Sequence, residues 1–175
     1  DAAQGNVDAM VDAVKTHGWD GEWFLRAYDF YGKKVGSEDN EEAKIFIESQ
    51  GFCTMAEIGK DEGLCGKALA SVAKRLACEH GIVLNNPAFT EYVLEYGEIS
   101  TYPPGYKENA GIFTHNNTWI QIAETLLGRG DRAFEYYMSI CPSAKEAQID
   151  TYRCEPYCYS QMTAGPDSAS FGEAK

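Results

Sequence analysis

Residues 102–117, YPPGYKENAGIFTHNN, decide how this chain is read. Pro103 and Pro104 fix φ and Gly105 permits a sharp turn, so the segment beyond them is aimed in a set direction. Lys107 and Glu108 come next, and in an extended segment they would point to opposite faces and serve different ligand groups. His115 then leads Asn116, Asn117 and Thr118, all residue types suited to helix caps. A helical pattern starts at once, with Ile120, Ile122, Ala123, Leu126 and Leu127, and Gly128 stops it. The stretch is a stiffened polar loop that feeds a helix N-terminus. Free N–H groups and the positive end of the helix dipole converge there beside an imidazole, an arrangement that suits phosphate.

Reading outward from that loop, the same alternation of helix and long structured loop recurs. Val7, Met10, Val11 and Val14 fall at helical spacing, and Gly18 follows as a stop. WDGEWFLRAYDFYGKKVGS (residues 19–37) is aromatic, carries Gly32 and predicts a short β-excursion or hairpin. SEDNEE (37–42) is a solvated turn. KIFIES (44–49) fits a short strand or a helix start equally well. Residues 61–78 predict a helix with Leu64, Ala68, Leu69, Val72, Ala73 and Leu76 on one face, ended by Gly81. PAFTEYVLEYGEIS (87–100) is ambiguous. Asp131 caps a helix carrying Ala133, Phe134, Tyr137 and Met138, and that helix ends before Pro142. SAKEAQID (143–150) predicts a further short helix, and residues 154–175 read mostly as loop. The sum is an all-α scaffold with its loops on one face, closer to a helical barrel or toroid than to a simple bundle.

Composition narrows the function classes. The chain has 175 residues, enough for one sizeable core, and a net charge of −12 that repels nucleic-acid backbones. No window approaches a membrane span, and the N-terminal DAAQGNVDAM has no export-signal pattern. With no initiator Met and an end at GEAK, the sequence reads as a segment of something longer. Six cysteines are present. Cys53, Cys65 and Cys78 sit in apolar patterns and read as free thiols, and the C-x-x-x-C of Cys154 and Cys158 lacks the other ligands zinc needs.

Several side chains could carry chemistry. Glu98 and Glu108 could supply two carboxylates across a glycosidic bond, which leaves an inverting hydrolase open. Tyr102, Tyr106, Tyr157, Tyr159, Trp19, Trp23 and Trp119 suit a sugar face or a core. The amide of Gln161 can donate to and accept from sugar hydroxyls. A non-catalytic carbohydrate-binding module is also open.

The segments WDGEWFLRAYDF, IESQGFC, GIVLNNPAF, GEISTYPPGYKENAGIFTHNN, AETLLGRGDRAFEYY and EPYCYSQMTAGPD, with the terminal GEAK, occur in that order over nearly the whole chain. In them the chain resembles the inverting β-disaccharide phosphorylases, and among these the cellobiose phosphorylases. The resemblance implies that residues 1–175 are part of an (α/α)6-barrel catalytic domain whose upstream and downstream segments lie elsewhere. It implies phosphorolysis of cellobiose to α-glucose 1-phosphate and glucose, in a cytoplasmic homodimer with no metal or organic cofactor. Inorganic phosphate is a substrate, and neither nucleic acid nor membrane is a partner. By position in the motifs, His115 matches the phosphate-contacting residue with Asn116 beside it. Glu108 and Gln161 match residues that bind the transferred glucosyl unit, and Glu98, Tyr102 and Lys107 match residues around the acceptor glucose.

The family's general acid is the Asp of a Trp-Asn-Asp motif, which is absent here, and Asp20 in WDGEW does not match it. A Thr-Gly phosphate loop is expected beyond Lys175. A partial barrel would also leave apolar helix faces exposed, which favours self-association. The purified 175-residue chain should therefore release no glucose 1-phosphate from cellobiose and phosphate. A coupled assay that detected turnover by this chain alone would overturn that expectation.

Overall fold

A computed structural model describes residues 2–175. Helix α1 (Ala2–His17) leads into an antiparallel hairpin of β1 (Ala27–Tyr28) and β2 (Lys34–Val35). Strand β3 (Ile45–Phe46) then runs directly into α2 (Ile47–Met55), so KIFIES is both a strand and a helix start. Helix α3 (Leu64–Arg75) turns back along α2 and feeds the tight hairpin of β4 (Ala77–Cys78) and β5 (Gly81–Ile82). Strand β6 (Asn85–Asn86) pairs with β3. After a 3-10 turn over Gly97–Ser100, strand β7 (Ile112–Phe113) runs into α4 (Thr114–Leu126), and α5 (Gly130–Ile140) returns along it. A 3-10 helix over Pro142–Gln148, α6 (Ile149–Tyr152) and β8 (Met162–Thr163) complete the order, with β8 antiparallel to β7.

The fold is mostly helical, consistent with a segment of a helical barrel, and the predicted β-excursion is the β1–β2 hairpin. Apart from β3, which falls in KIFIES, the other strands were not expected. They are two residues long, and each is a step from loop into helix or a brief clasp between loops. Sequence periodicity cannot register so short an element. The helix predicted over residues 61–78 is shorter than expected. Gly63 caps it in a left-handed conformation (φ 80°), and Ala77 and Cys78 leave it for the hairpin. Asp131 lies inside the first turn of α5 instead of capping it, a place where its charge still complements the helix dipole.

Two strand-to-helix steps repeat one local sequence. Ile45-Phe46-Ile47-Glu48 enters α2 as Ile112-Phe113-Thr114-His115 enters α4. The two helices lie side by side in the same direction. Gly51 meets Trp119 and Ile120, and a Cβ at Gly51 would come within 3.1 Å of Trp119 Cβ, so a larger residue would require Trp119 to give by a few tenths of an ångström. Helices α3 and α5 form the second layer. Between them the core gathers Trp23, Ile45, Ile47, Leu69, Val72, Leu76, Ile82, Leu84, Ile112 and Ile120. Each fully buried aliphatic side chain here contributes about 1.5–3 kcal/mol. The Trp23 indole N–H is shared by the carbonyls of Gly36 and Lys44, each at 2.9 Å, and Arg75 stacks on its ring. Trp23 is thus a core residue and no sugar platform.

The periodicity of α1 was read correctly, yet none of its side chains is buried. Val7 is 46% and Met10 61% exposed. Ile122, Leu126, Phe134 and Tyr137 likewise line an open apolar groove between α4 and α5. All six cysteines are free thiols among the described residues. No helix among those residues is long and apolar enough to cross a membrane.

The C-terminal residues fold back on a buried pair. Lys145 Nζ lies 3.3 Å from His80 Nδ1, Phe171 packs edge-on to the imidazole, and Gly172 sits so close that a Cβ would strike the ring. Burial, and then the Lys145 charge, hold the His80 pKa below its ordinary value. The unfolded chain therefore binds this proton more readily than the folded one, and stability rises with pH across the window. Folding stability should fall as pH drops from 7 to 5, and His80→Gln should flatten that part of the profile. Denaturant melts of both proteins across the range provide the check.

Candidate functional site

The loop from Tyr102 to Gly111 is fixed by one buried amide. Asn109 Oδ1 accepts the Phe89 backbone N–H at 2.7 Å, and its Nδ2 donates to the carbonyls of Phe89 and Tyr102 at 2.8 Å each. Pro103 starts a turn in which its carbonyl accepts the Tyr106 N–H, and Tyr106 bridges Asn109. Gly105 adopts φ +76° and lies against Ser168, where a Cβ would meet the backbone nitrogen at 2.5 Å. Its carbonyl accepts the Gly165 N–H, which ties the loop to the C-terminal residues.

This turn corrects one expectation. Lys107 is not in an extended strand, since its φ is +47° and its carbonyl accepts the Gly111 N–H. Lys107 and Glu108 consequently do not alternate across a strand. Lys107 Nζ lies 5.1 Å from the centre of the Tyr102 ring, and the Tyr102 hydroxyl donates to Glu98 Oε1 at 2.9 Å. Glu98, Tyr102 and Lys107 thus form one exposed chain of contacts. The hydrogen bond to Glu98 is the main reason the Tyr102 phenol is pushed up, and the Glu108 charge adds to it. Glu108 is half-buried, and its Oε2 is enclosed with no hydrogen-bond partner among the described residues.

A second group gathers at the start of α4. The helix begins one residue before His115, with Phe113 as its cap and no side-chain cap hydrogen bond. The expected capping by Asn116, Asn117 or Thr118 does not occur. Asn117 faces inward, accepts the Ile82 N–H at 2.8 Å and donates to the carbonyls of Ile82 and Phe113. Asn116 is only 3% exposed, with Oδ1 enclosed and unpaired. His115 is exposed, and its ring is flanked by Phe113 at 5.5 Å and Trp119 at 5.4 Å. Gln161 is also exposed, and its carbonyl accepts the Thr114 N–H at 3.2 Å. The Ser160 carbonyl accepts the Thr114 hydroxyl at 2.8 Å. Pairing of β7 with β8 therefore brings residue 161 beside residues 114–116 from 45 or more positions away.

The two groups sit at either end of the loop 102–115. Neither a hydrogen bond nor an ion pair joins them among the described residues. Tyr157 and Tyr159 are exposed nearby in sequence. Asp20 is accounted for structurally. Burial pushes its carboxyl up, but hydrogen bonds from Lys34 Nζ (2.8 Å), the Glu38 N–H (2.8 Å) and the Ser37 hydroxyl (2.9 Å) outweigh that and hold it low.

Sequence reading missed three features. Asn109 looked like an ordinary turn residue. Ser160, whose hydroxyl is enclosed and unpaired, had no signal at all. Glu48 stands in α2 where His115 stands in α4, and the repeated Ile-Phe step could have marked it.

Comparison with known proteins extends the picture. The family described as "Glycosyl hydrolase 94 superfamily, catalytic domain" matches residues 1–175. The chain is 35% identical over 164 residues to a solabiose phosphorylase of Paenibacillus borealis, covering 94% of this chain and 21% of that protein. It is 34% identical over 177 residues to an N,N'-diacetylchitobiose phosphorylase of Vibrio furnissii, covering 99% and 22%. It is 26% identical to a cellobionic acid phosphorylase of Neurospora crassa, covering 78% and 17%. The chain spans about a fifth of the length of these relatives.

Asn109→Ala would leave the Phe89 N–H and two carbonyls without partners. It should cost about 3 kcal/mol, from roughly 1–3 kcal/mol per enclosed polar group. Urea unfolding should show the loss, and limited proteolysis should show faster cleavage within residues 102–108.

Proposed function

The chain belongs to the glycosyl hydrolase 94 catalytic-domain family, and from that premise we propose that it supplies the phosphate-binding and sugar-binding rim of a cellobiose phosphorylase. One observation carries the reading. An enclosed, unpaired carboxylate oxygen of Glu108 lies on the same loop as the Glu98–Tyr102–Lys107 chain, and that loop runs into the helix that begins at His115 beside Gln161. An enclosed carboxylate oxygen without a donor is costly, and a sugar hydroxyl would satisfy it.

In this reading Glu108 and Gln161 grip hydroxyls of the glucosyl ring to be transferred. Glu98, Tyr102 and Lys107 hold the acceptor glucose, where an exposed mixed-charge set with one aromatic ring suits an unmodified sugar. His115, in the first turn of α4 with Asn116 behind it, receives phosphate at the positive end of the helix dipole. Phosphate is already an anionic nucleophile and needs no general base. Its oxygen attacks the anomeric carbon as the bond to the leaving glucose oxygen breaks, and a single displacement turns the β linkage into α-glucose 1-phosphate. The leaving oxygen takes a proton from a carboxylic acid, assigned by the family resemblance to an Asp outside these residues. The same reading makes the full-length protein a cytoplasmic homodimer that works without a metal or organic cofactor.

A hydrolase would instead need Glu98 and Glu108 as an acid–base pair. Glu98 already accepts the Tyr102 hydroxyl, which favours a binding role for it. The full-length protein should consume cellobiose only when phosphate is present. Glu108→Gln should lower kcat/KM roughly 30- to 150-fold, the equivalent of about 2–3 kcal/mol for a charge-assisted hydrogen bond. Glucose release that did not depend on phosphate would replace this reading with the hydrolase.

A further inference from the structure

The repeated strand-to-helix step has a chemical consequence for Glu48. Phe46 and Phe113 end equivalent strands, and Glu48 and His115 are each the second residue of the helix that follows. The two helices touch one turn further in. There Gly51 lies against Trp119, and the Phe52 and Trp119 rings are 4.6 Å apart. Glu48 is one turn before Gly51 and Phe52, and His115 is one turn before Trp119. The contacts at 51, 52 and 119, with the charge of His115 acting on Glu48 one turn earlier, place residue 48 near residue 115.

The surroundings of Glu48 are unusual for a carboxylate at a helix start. Its Oε2 is enclosed and has no hydrogen-bond partner among the described residues. Burial pushes its carboxyl up, while a hydrogen bond from its own backbone N–H and, after that, the charges of Arg26 and His115 pull the other way. Phe113 and Trp119 flank the imidazole.

We propose that Glu48 is a positioning residue for phosphate recognition: its enclosed oxygen, unpaired among the described residues, takes one ring N–H of His115 across the α2–α4 contact when phosphate binds and so aims the opposite ring nitrogen at phosphate. The Arg26 charge also acts on the carboxylate and favours its ionised form. Glu48 does not touch phosphate. It acts through the imidazole, as carboxylates do where they fix the orientation of a working histidine. The inference rests on the reading of His115 as the phosphate ligand.

The test uses the full-length protein and inorganic phosphate. Glu48→Gln should raise the KM for phosphate about tenfold or more, with the KM for cellobiose unchanged. Glu48→Asp, which keeps the charge on a shorter arm, should fall between the two. An unchanged phosphate KM in Glu48→Gln, or an equal rise in both KM values with a lower melting temperature, would overturn the inference and leave Glu48 a packing residue. His115→Ala separates the two claims. If it leaves the phosphate KM unchanged, the reading of His115 fails. If it raises that KM while Glu48→Gln does not, only the role of Glu48 fails.

Discussion

Buried amides that read both backbone groups of a single distant residue hold this structure together. Gln50 accepts the N–H of Phe24 and donates to its carbonyl, each at 2.8 Å, and Asn117 does the same for Ile82. Each amide also donates to the carbonyl four residues back, at Phe46 and Phe113 respectively. The two clamps are equivalent positions in the two strand-to-helix steps. Asn109 repeats the device on Phe89. A loop laid over a core must leave no backbone group unpaired, since an enclosed one costs about 1–3 kcal/mol. Here the side chains of helix starts and one turn satisfy those groups, and long loops can be rigid without extended sheets.

The site inherits its geometry from these clamps. Asn117 and Gln50 face inward and pin loops, so the neighbouring positions His115 and Glu48 lie beside the first turns of two parallel helices. Both turns begin without a side-chain cap, and the first N–H of each donates to a backbone carbonyl, that of Leu84 for Ile47 and that of Gln161 for Thr114. Two helix N-termini side by side make a region favourable to anions. Around it lie carboxylates and amides suited to hydroxyl-rich ligands. The chain belongs to a family in which relatives similar to it carry the names of disaccharide phosphorylases.

Much of the fold was legible because helices of three or more turns write their period into the sequence. The stripes of α1, α3, α4 and α5 were each visible, and Gly18, Gly128 and Pro142 marked their ends. The two-residue strands left no period to read, and KIFIES looked ambiguous because it is a strand that becomes a helix without a break. In the site, the residues on the loop 102–117 stood out by chemistry and by motif. Glu48 and Ser160 did not, because their significance lies in what surrounds them.

The sequence by itself determined the helical class, the stiff polar loop, the acidic balance and the family, since these depend on local residue types and their spacing along the chain. Only the tertiary structure decided that Lys107 turns left-handed, that Asn116 and Asn117 face inward and that Trp23 belongs to the core. It also decided that Gln161 is brought beside Thr114 by the β7–β8 pairing. The reason is physical: enclosure and unpaired polar atoms are set by neighbours distant in sequence, and no local pattern records them.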